Sequence, residues 1–176
     1  RKIKLKYQFH QREMSIVPNY PPRKALDVGG GKGLLAFLLN KNGWEARVLD
    51  PVDQALPYKY KDLELMRRVL LTEEEKKSVK RLTKNFEIED AKDFDLLIGL
   101  HTHGSNMKII EACAKYKKNF VLLPCCVIDE PIEKRAGVNW LESLVDYARD
   151  MGFEVGREKL GFVGQDMVIF SKRNGV

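Results

Sequence analysis

Short apolar runs alternate with helix-like segments from residue 24 onward. Lys24–Val28 is an apolar run that ends in a glycine-rich turn, and leucines then repeat at helical spacing up to Asn42. A second buried run, Trp44–Leu49, is stopped by Asp50 and Pro51. This order predicts a strand, a helix and a second strand, with the two strands parallel.

The second half of the chain repeats this alternation. Its predicted elements are the strand Phe94–Leu100, the helix Asn106–Tyr116, the strand Asn119–Pro124, the helix Asn139–Met151, and the strands Glu154–Leu160 and Asp166–Lys172. Gly161–Gly164 is expected to join the last two strands as a hairpin. The pattern predicts an α/β fold of the Rossmann-like, doubly wound kind, with a mostly parallel sheet and a C-terminal antiparallel hairpin.

Residues 52–86 are heavily charged and show helical periodicity. One apolar stripe consists of Leu63, Met66, Val69 and Leu70. Thr72 and Glu75 form a capping box that predicts the start of a second helix. The apolar face of this second helix would consist of Val79, Leu82 and Phe86. We therefore expect two helices here, as an insertion in the domain or a lid over it.

Length and composition indicate one packed domain. The chain has 176 residues, of which 44% are hydrophobic and 32% charged, and this balance argues against disorder. We expect a basic arm and loop over residues 1–22 and the domain over residues 23–176. Three cysteines are too few for a disulfide framework, no apolar run could span a bilayer, and the opening residues lack an apolar signal segment. The expected location is cytoplasmic, with no membrane partner.

The formal charge of +6 is concentrated at the start of the chain. Residues 1–24 contain seven basic side chains and one acid, so the remainder is neutral. A second basic segment lies between Lys59 and Lys84, with nine basic and five acidic residues. Clustered Lys and Arg suit a polyanion such as RNA, because they neutralise phosphates and release counterions. The alternatives are a solvated terminus and salt-bridged, solvent-facing helices.

The glycine-rich turn Asp27–Gly33 is a candidate nucleotide site. Its glycines let the backbone approach a ligand, and Asp50 at the tip of the second strand can accept hydrogen bonds from both hydroxyls of a ribose. Leu34 stands where a dinucleotide fingerprint needs Gly or Ala, which disfavours NAD. The Walker pattern is also absent, which removes ATP in its commonest cradle.

The turn resembles motif I of the class I S-adenosylmethionine-dependent methyltransferases. That motif reads acidic-x-Gly-x-Gly-x-Gly, and Asp27, Gly29, Gly31 and Gly33 fall on its positions, with Gly30 between them. The resemblance extends from Lys24 to Lys172 and includes the closing hairpin. It implies a seven-stranded sheet and S-adenosyl-L-methionine as the cofactor.

The resemblance also implies roles for residues at the ends of later strands. Asp50, followed by Pro51, would hold the ribose, and Asp90 with its neighbour Glu89 would meet the adenine amino group after a short third strand over residues 85–89. Leu100, at the end of the fourth strand, belongs to the same cofactor-binding set. The alternative is that Asp50 and Asp90 are helix caps or loop acids.

Two further turns resemble a narrower group of methyltransferases. Gly99–Ser105 and Leu123–Cys126 are similar to the strand 4 and strand 5 turns of the group that includes the tRNA acceptor-stem ribose 2′-O-methylases. The chain departs from that group because His103 stands in place of the first cysteine. It also lacks the Cys/His-rich extensions of the group.

His101, His103, Cys125 and Cys126 are the candidate catalytic residues. Strands 4 and 5 are expected to be adjacent, so their carboxyl ends would bring these four side chains together. A neutral imidazole can accept the proton that a ribose hydroxyl or a ring nitrogen loses on methylation, and we favour His103 for this role, with His101 packing or orienting. The alternatives are a cysteine nucleophile, a metal site and buried structural fillers, although His-x-His with adjacent cysteines is not a usual zinc spacing, so we assign no metal. We expect Cys113, on a predicted helix, to be part of the core.

These features favour an S-adenosylmethionine-dependent methyltransferase that acts on RNA, such as tRNA, with the basic arm as the RNA contact. One alternative is a small-molecule methyltransferase, in which residues 52–86 would close over the pocket. The other is a non-catalytic module that binds the cofactor or RNA.

Overall fold

A computed structural model describes residues 23–62, 65–125, 129–132, 139–161 and 165–172. The chain divides into two compact units, residues 1–85 and residues 86–176. The predicted basic arm, Leu63 of the predicted helical stripe, Cys126 and most of the loop of the closing hairpin lie outside the described residues.

The first unit opens with the predicted strand, helix and strand. Strand β1 spans Lys24–Val28, helix α1 spans Leu34–Lys41 and strand β2 spans Glu45–Leu49. β1 and β2 are parallel, with Lys24 opposite Glu45 and Val28 opposite Leu49. Every residue of α1 from Leu34 to Leu39 is buried, whereas Asn40 and Lys41 at its end are partly or fully exposed. The sequence prediction for this region is confirmed.

The first predicted helix between residues 52 and 86 is wrong. Strands β3 (Lys59–Asp62) and β4 (Arg67–Leu70) occupy this region and form a separate antiparallel ribbon. The physical reason is the side chain of Tyr60, which is buried and meets Phe37 of α1 edge to face, with ring centroids 6.4 Å apart. Neighbouring residues on the ribbon therefore alternate between the protein and solvent, which is the period of a strand.

The second predicted helix begins where expected but is much shorter. Helix α2 spans Glu73–Lys77, and its capping box is present: Glu75 N–H donates to Thr72 Oγ1 over 3.1 Å and Thr72 N–H donates to Glu75 Oε2 over 2.9 Å. Ser78 ends the helix, since its hydroxyl donates to the carbonyl of Glu75. The residues predicted to form its apolar face are Val79, Leu82 and Phe86, and all three come after the end of the helix. Leu82 belongs to strand β5 (Arg81–Leu82), which pairs with β2.

The second unit follows the predicted alternation closely. Its elements are a 3₁₀ turn over Ile88–Ala91, strand β6 (Leu96–Leu100), helix α3 (Asn106–Tyr116), strand β7 (Asn119–Leu123), helix α4 (Trp140–Asp150), and strands β8 (Glu154–Lys159) and β9 (Met167–Lys172). The prediction of a strand over residues 85–89, as the third strand of the main sheet, is wrong. The third strand of that sheet in chain order is β5, and residues 88–91 form the 3₁₀ turn. The core includes Phe120 of β7, whose ring meets Phe153 edge to face at 5.1 Å between centroids.

The main sheet has seven strands in the order β5-β2-β1-β6-β7-β9-β8. β5, β2 and β1 pair in parallel, as do β6 and β7. β9 pairs antiparallel with both β7 and β8, which forms the predicted closing hairpin. The predicted fold class is therefore confirmed. None of the helices in the described residues is long and apolar enough to cross a membrane.

Candidate functional site

The glycine turn after β1 is held tightly on its inner side and open on its outer side. Asp27 is completely buried, and a Cβ atom placed on Gly30 would lie 2.6 Å from its Oδ2. Gly31 has a φ of +56°, and a Cβ placed there would meet no other atom within 4 Å. Gly33, with a φ of 80°, is the N-cap of α1. The turn therefore offers an open backbone surface at Gly31, and its geometry requires glycine at Gly30 for space.

Asp50 connects the end of β2 to this turn. Its Oδ2 accepts a hydrogen bond from the N–H of Gly31 over 2.8 Å, and its Oδ1 accepts one from the N–H of Val52 over 2.9 Å. Gly29 N–H also donates to the carbonyl of Leu49 over 2.7 Å. Each carboxylate oxygen has two lone pairs, so Asp50 can accept further hydrogen bonds from a ligand. Pro51, which follows, is exposed and adds no such acceptor from its side chain.

Arg81 is a residue of this site that the sequence analysis missed. Its guanidinium donates to the carbonyl of Gly31, and its Nε lies 3.3 Å from Asp53 Oδ1. The same side chain lies beside Gly33, since a Cβ placed on that glycine would be 3.0 Å from Arg81 Nη1. Arg81 therefore helps to hold the turn in its observed shape through the Gly31 carbonyl. Its only signal was a basic residue in a segment that we interpreted as helical, so its place in β5 was hidden.

Glu89 and Asp90 are both used in local contacts. Asp90 accepts a hydrogen bond from the N–H of Glu87 over 2.9 Å, which makes it a cap of the 3₁₀ turn. Glu89 is exposed and forms an ion pair with Lys115 of α3 at 2.9 Å, and this hydrogen bond holds the pKa of Glu89 below its usual range. Asp90 therefore acts as a cap of the 3₁₀ turn, which is the alternative considered above. A contact between Asp90 and adenine stays a prediction.

The turn after β6 carries the predicted histidines. His101 has a φ of +56°, an uncommon conformation for a residue other than glycine, and its N–H donates to the carbonyl of Leu123 over 3.0 Å. His103 is exposed, and its Nε2 lies 3.6 Å from the Sγ of Cys125, just beyond the end of β7. The structure therefore brings His103 and Cys125 together. Leu100 is buried, with a relative exposure of 2%, and its place in the cofactor-binding set stays a prediction.

The carboxylate of Glu130 supports this turn. It accepts hydrogen bonds from the N–H and the side-chain amide of Asn106, over 2.7 and 2.8 Å, and from the N–H of Met107 over 3.1 Å. The amide of Asn106 also donates to the carbonyl of Thr102 over 3.0 Å. Glu130 therefore caps α3 and orders the residues that follow His101. Sequence reasoning missed it because a cap contributed from 24 residues away leaves no local pattern.

The remaining candidate chemistry in the described residues is limited. No group of three His, Cys, Asp or Glu side chains there could hold a metal ion. Cys113 is fully buried and its Sγ lies 3.3 Å from the carbonyl of Asn119, and burial raises the pKa of its thiol. Its predicted place in the core is confirmed.

Comparisons with known proteins identify the fold. The glycopeptide N-methyltransferase MtfA in complex with S-adenosyl-L-homocysteine superposes with a TM-score of 0.56 at 13% identity, over 93% of this chain and 87% of that one. The ribosomal protein L11 methylase of Lactobacillus delbrueckii subsp. bulgaricus gives a TM-score of 0.55 at 14% identity, over 98% and 78% of the two chains. The chain therefore has the fold of the class I S-adenosylmethionine-dependent methyltransferases, as the glycine turn suggested.

One curated relative is similar in sequence. It is the Caenorhabditis elegans protein named "Probable tRNA (uracil-O(2)-)-methyltransferase", which is 33% identical over 106 residues. The match covers 60% of this chain and 17% of the length of that protein. No family model matches the chain.

Proposed function

We propose that the chain binds S-adenosyl-L-methionine and transfers its methyl group to RNA, with tRNA as the leading acceptor. The observation that carries the cofactor assignment is the contact between the Asp50 carboxylate and the N–H of Gly31, which joins the tips of β1 and β2 into one polar cradle. The methyltransferase fold supports the same assignment.

The residues of this cradle fit the cofactor. The open backbone at Gly31 leaves room for a ligand to approach the turn, and the free lone pairs of Asp50 can accept the hydroxyl hydrogens of a ribose. Arg81 and the buried Asp27 hold the turn in this shape from the protein side. We assign Gly29, Gly31, Gly33 and Asp50 to the cofactor, while Asp90 remains a candidate for the adenine.

His103 is our candidate for the group that receives the acceptor's proton. When bound, the cofactor supplies an electrophilic methyl carbon on a sulfonium sulfur. The acceptor atom loses one proton as it gains the methyl group, and an imidazole can take that proton at neutral pH. Cys125, 3.6 Å from Nε2 of His103, would orient the ring, and His101 would hold the strained start of the turn.

Support for an RNA acceptor comes from three sources. The curated relative is named as a tRNA methyltransferase, the turns after β6 and β7 resemble those of tRNA ribose methylases, and basic residues are concentrated at the start of the chain. The contact of the basic arm with RNA and the cytoplasmic location stay predictions.

The first experiment is calorimetric titration of the 176-residue chain with S-adenosyl-L-methionine and with its demethylated product. We expect Asp50→Ala to bind both about 10- to 100-fold more weakly, because it removes charge-assisted hydrogen bonds. Asp93→Ala, which removes an exposed carboxylate after the 3₁₀ turn, is the matched control and should bind normally. Absence of binding by the unaltered chain would overturn the cofactor assignment. Transfer of labelled methyl groups to total tRNA then tests the acceptor.

A further inference from the structure

We propose that the ribbon formed by β3 and β4 is an RNA-docking surface, whose outer face contacts the phosphates of a single-stranded segment. The proposal deepens the proposed function, since it rests on RNA being the acceptor and assigns part of its recognition to a defined element.

The pairing of the ribbon separates its residues into two faces. Lys59 lies opposite Leu70 and Lys61 opposite Arg68, whereas Tyr60 lies opposite Val69 between them. Because side chains alternate along a strand, the first two pairs share one face and the Tyr60 pair lies on the other. The inner face is anchored, since Tyr60 is only 7% exposed and packs on Phe37.

The outer face is basic and apolar at once. Its four central positions are Lys59, Lys61, Arg68 and Leu70, so three of them are cations and none is acidic. Leu70 is 71% exposed. Tyr58, just before β3, is 59% exposed, and the Nζ of Lys59 lies 4.5 Å from the centroid of its ring. This composition does not belong to a core, and it leaves a large apolar area in water beside a row of positive charges.

Such a surface fits single-stranded RNA better than it fits a purely polyanionic or a purely apolar partner. Same-face residues on a strand are about 7 Å apart, so Lys59 and Lys61 can contact successive sites along an extended backbone. Proteins that bind single strands combine a basic track with exposed aromatic and apolar side chains that accept unstacked bases. Tyr58 and Leu70 flank the cations in this arrangement.

The test uses the whole chain and a fluorescein-labelled oligouridylate about 16 nucleotides long. The affinity is measured by fluorescence anisotropy at salt concentrations from about 50 to about 200 mM. We expect Lys61→Ala/Arg68→Ala to bind about tenfold more weakly. The slope of log affinity against log salt should become shallower by about 1.4, since each phosphate contact to a single strand contributes about 0.7.

The matched control is Lys92→Ala/Arg149→Ala, which removes the same charge from exposed positions of the second unit. It should retain the affinity and the slope of the unaltered chain. Tyr58→Ala should weaken binding while Tyr58→Phe, which keeps the ring, should not. Circular dichroism of each variant establishes that it is folded.

Three results would overturn the proposal: unchanged binding by the ribbon variant, an equal loss in the control, or no RNA binding by the unaltered chain. A fourth is ribbon-dependent binding to phosphatidylserine vesicles without RNA binding, which would assign the face to a membrane surface. RNA binding is measured without cofactor, so a failure of the cofactor assignment leaves this test intact. A negative result here does not affect the cofactor assignment, because calorimetric titration tests that assignment separately.

Discussion

Gly30 and Gly31 are adjacent in sequence but need glycine for different reasons. A side chain on Gly30 would collide with the buried carboxylate of Asp27, whereas Gly31 has open space and only a positive φ. The first constraint is one of packing and the second is one of backbone conformation. Only a structure separates them, because both residues are the same letter in the sequence.

Alanine at each position should therefore have a different cost. We expect Gly30→Ala to lower the free energy of unfolding by about 2 to 3 kcal/mol, as overpacking does, and Gly31→Ala by about 1 kcal/mol for its left-handed backbone. Urea denaturation of the two variants measures this difference. Equal losses, or a greater loss for Gly31→Ala, would contradict the packing account of Gly30.

His103 should affect the rate of methyl transfer rather than cofactor binding. We expect His103→Gln to lower kcat on tRNA by about 100-fold or more, since general bases contribute that much. The cofactor affinity should be unchanged. Cys125→Ala, which removes the neighbouring sulfur and keeps the imidazole, is the comparison and should lose much less. A normal kcat in His103→Gln would exclude the assigned role.

Helix α3 illustrates how an element depends on a distant residue. Its apolar periodicity predicts the helix, yet its first turn has no cap from Ser105, whose side chain accepts no hydrogen bond there. Glu130 supplies the acceptors instead, and its negative charge suits the positive end of the helix dipole. The cap also orders Thr102 through Asn106, which ties the stability of α3 to the turn that carries His103.

Removing this cap should destabilise the second unit. We expect Glu130→Ala to lower the free energy of unfolding by about 1 to 2 kcal/mol, because three hydrogen bonds at a helix N-terminus are lost. Glu130→Gln, which keeps an acceptor oxygen but not the charge, should lose about half as much. Chemical denaturation followed by circular dichroism measures both. A loss confined to activity, with normal stability, would contradict the capping role.

At the scale of the whole molecule, glutamates whose pKa values are lowered on folding contribute to the response to acid. Hydrogen bonds from Arg47, Lys76 and Lys115 hold the pKa values of Glu45, Glu73 and Glu89 below their usual range, and the backbone N–H of Thr72 does the same for Glu75. A carboxyl whose pKa is lowered by folding stabilises the protein above its unfolded pKa. That contribution is lost as the pH falls through the folded pKa.

The four glutamates should therefore make stability fall below pH 4.5, the ordinary value for their side chains. We expect the unaltered chain to lose more stability than a variant with glutamine at all four positions when the pH is lowered from about 6 to about 3.5. These two pH values lie on either side of the ordinary glutamate pKa. Because these pairs are exposed, the difference should shrink in 1 M salt, where screening is strong. Urea denaturation at each pH measures it. An equal pH response in the two proteins would contradict this account.

The sequence by itself determined the elements whose signals are local. The helix Asn106–Tyr116 and the strand Lys24–Val28 were predicted with their observed ends, because apolar periodicity and glycine punctuation act over a few residues. The glycine turn and Asp50 were proposed as a site for a similar reason, since glycines and an acid at the tips of two predicted strands are local signals.

Only the tertiary structure decided the features that depend on distant contacts. Residues 59–62 and 67–70 have a charged pattern that also fits a helix, and the packing of Tyr60 on Phe37 places them in a ribbon. Arg81 reaches Gly31 across 50 residues, and Glu130 reaches Asn106 across 24. Local periodicity carries no information about such partners, because their hydrogen bonds exist only once the chain has brought the two segments together.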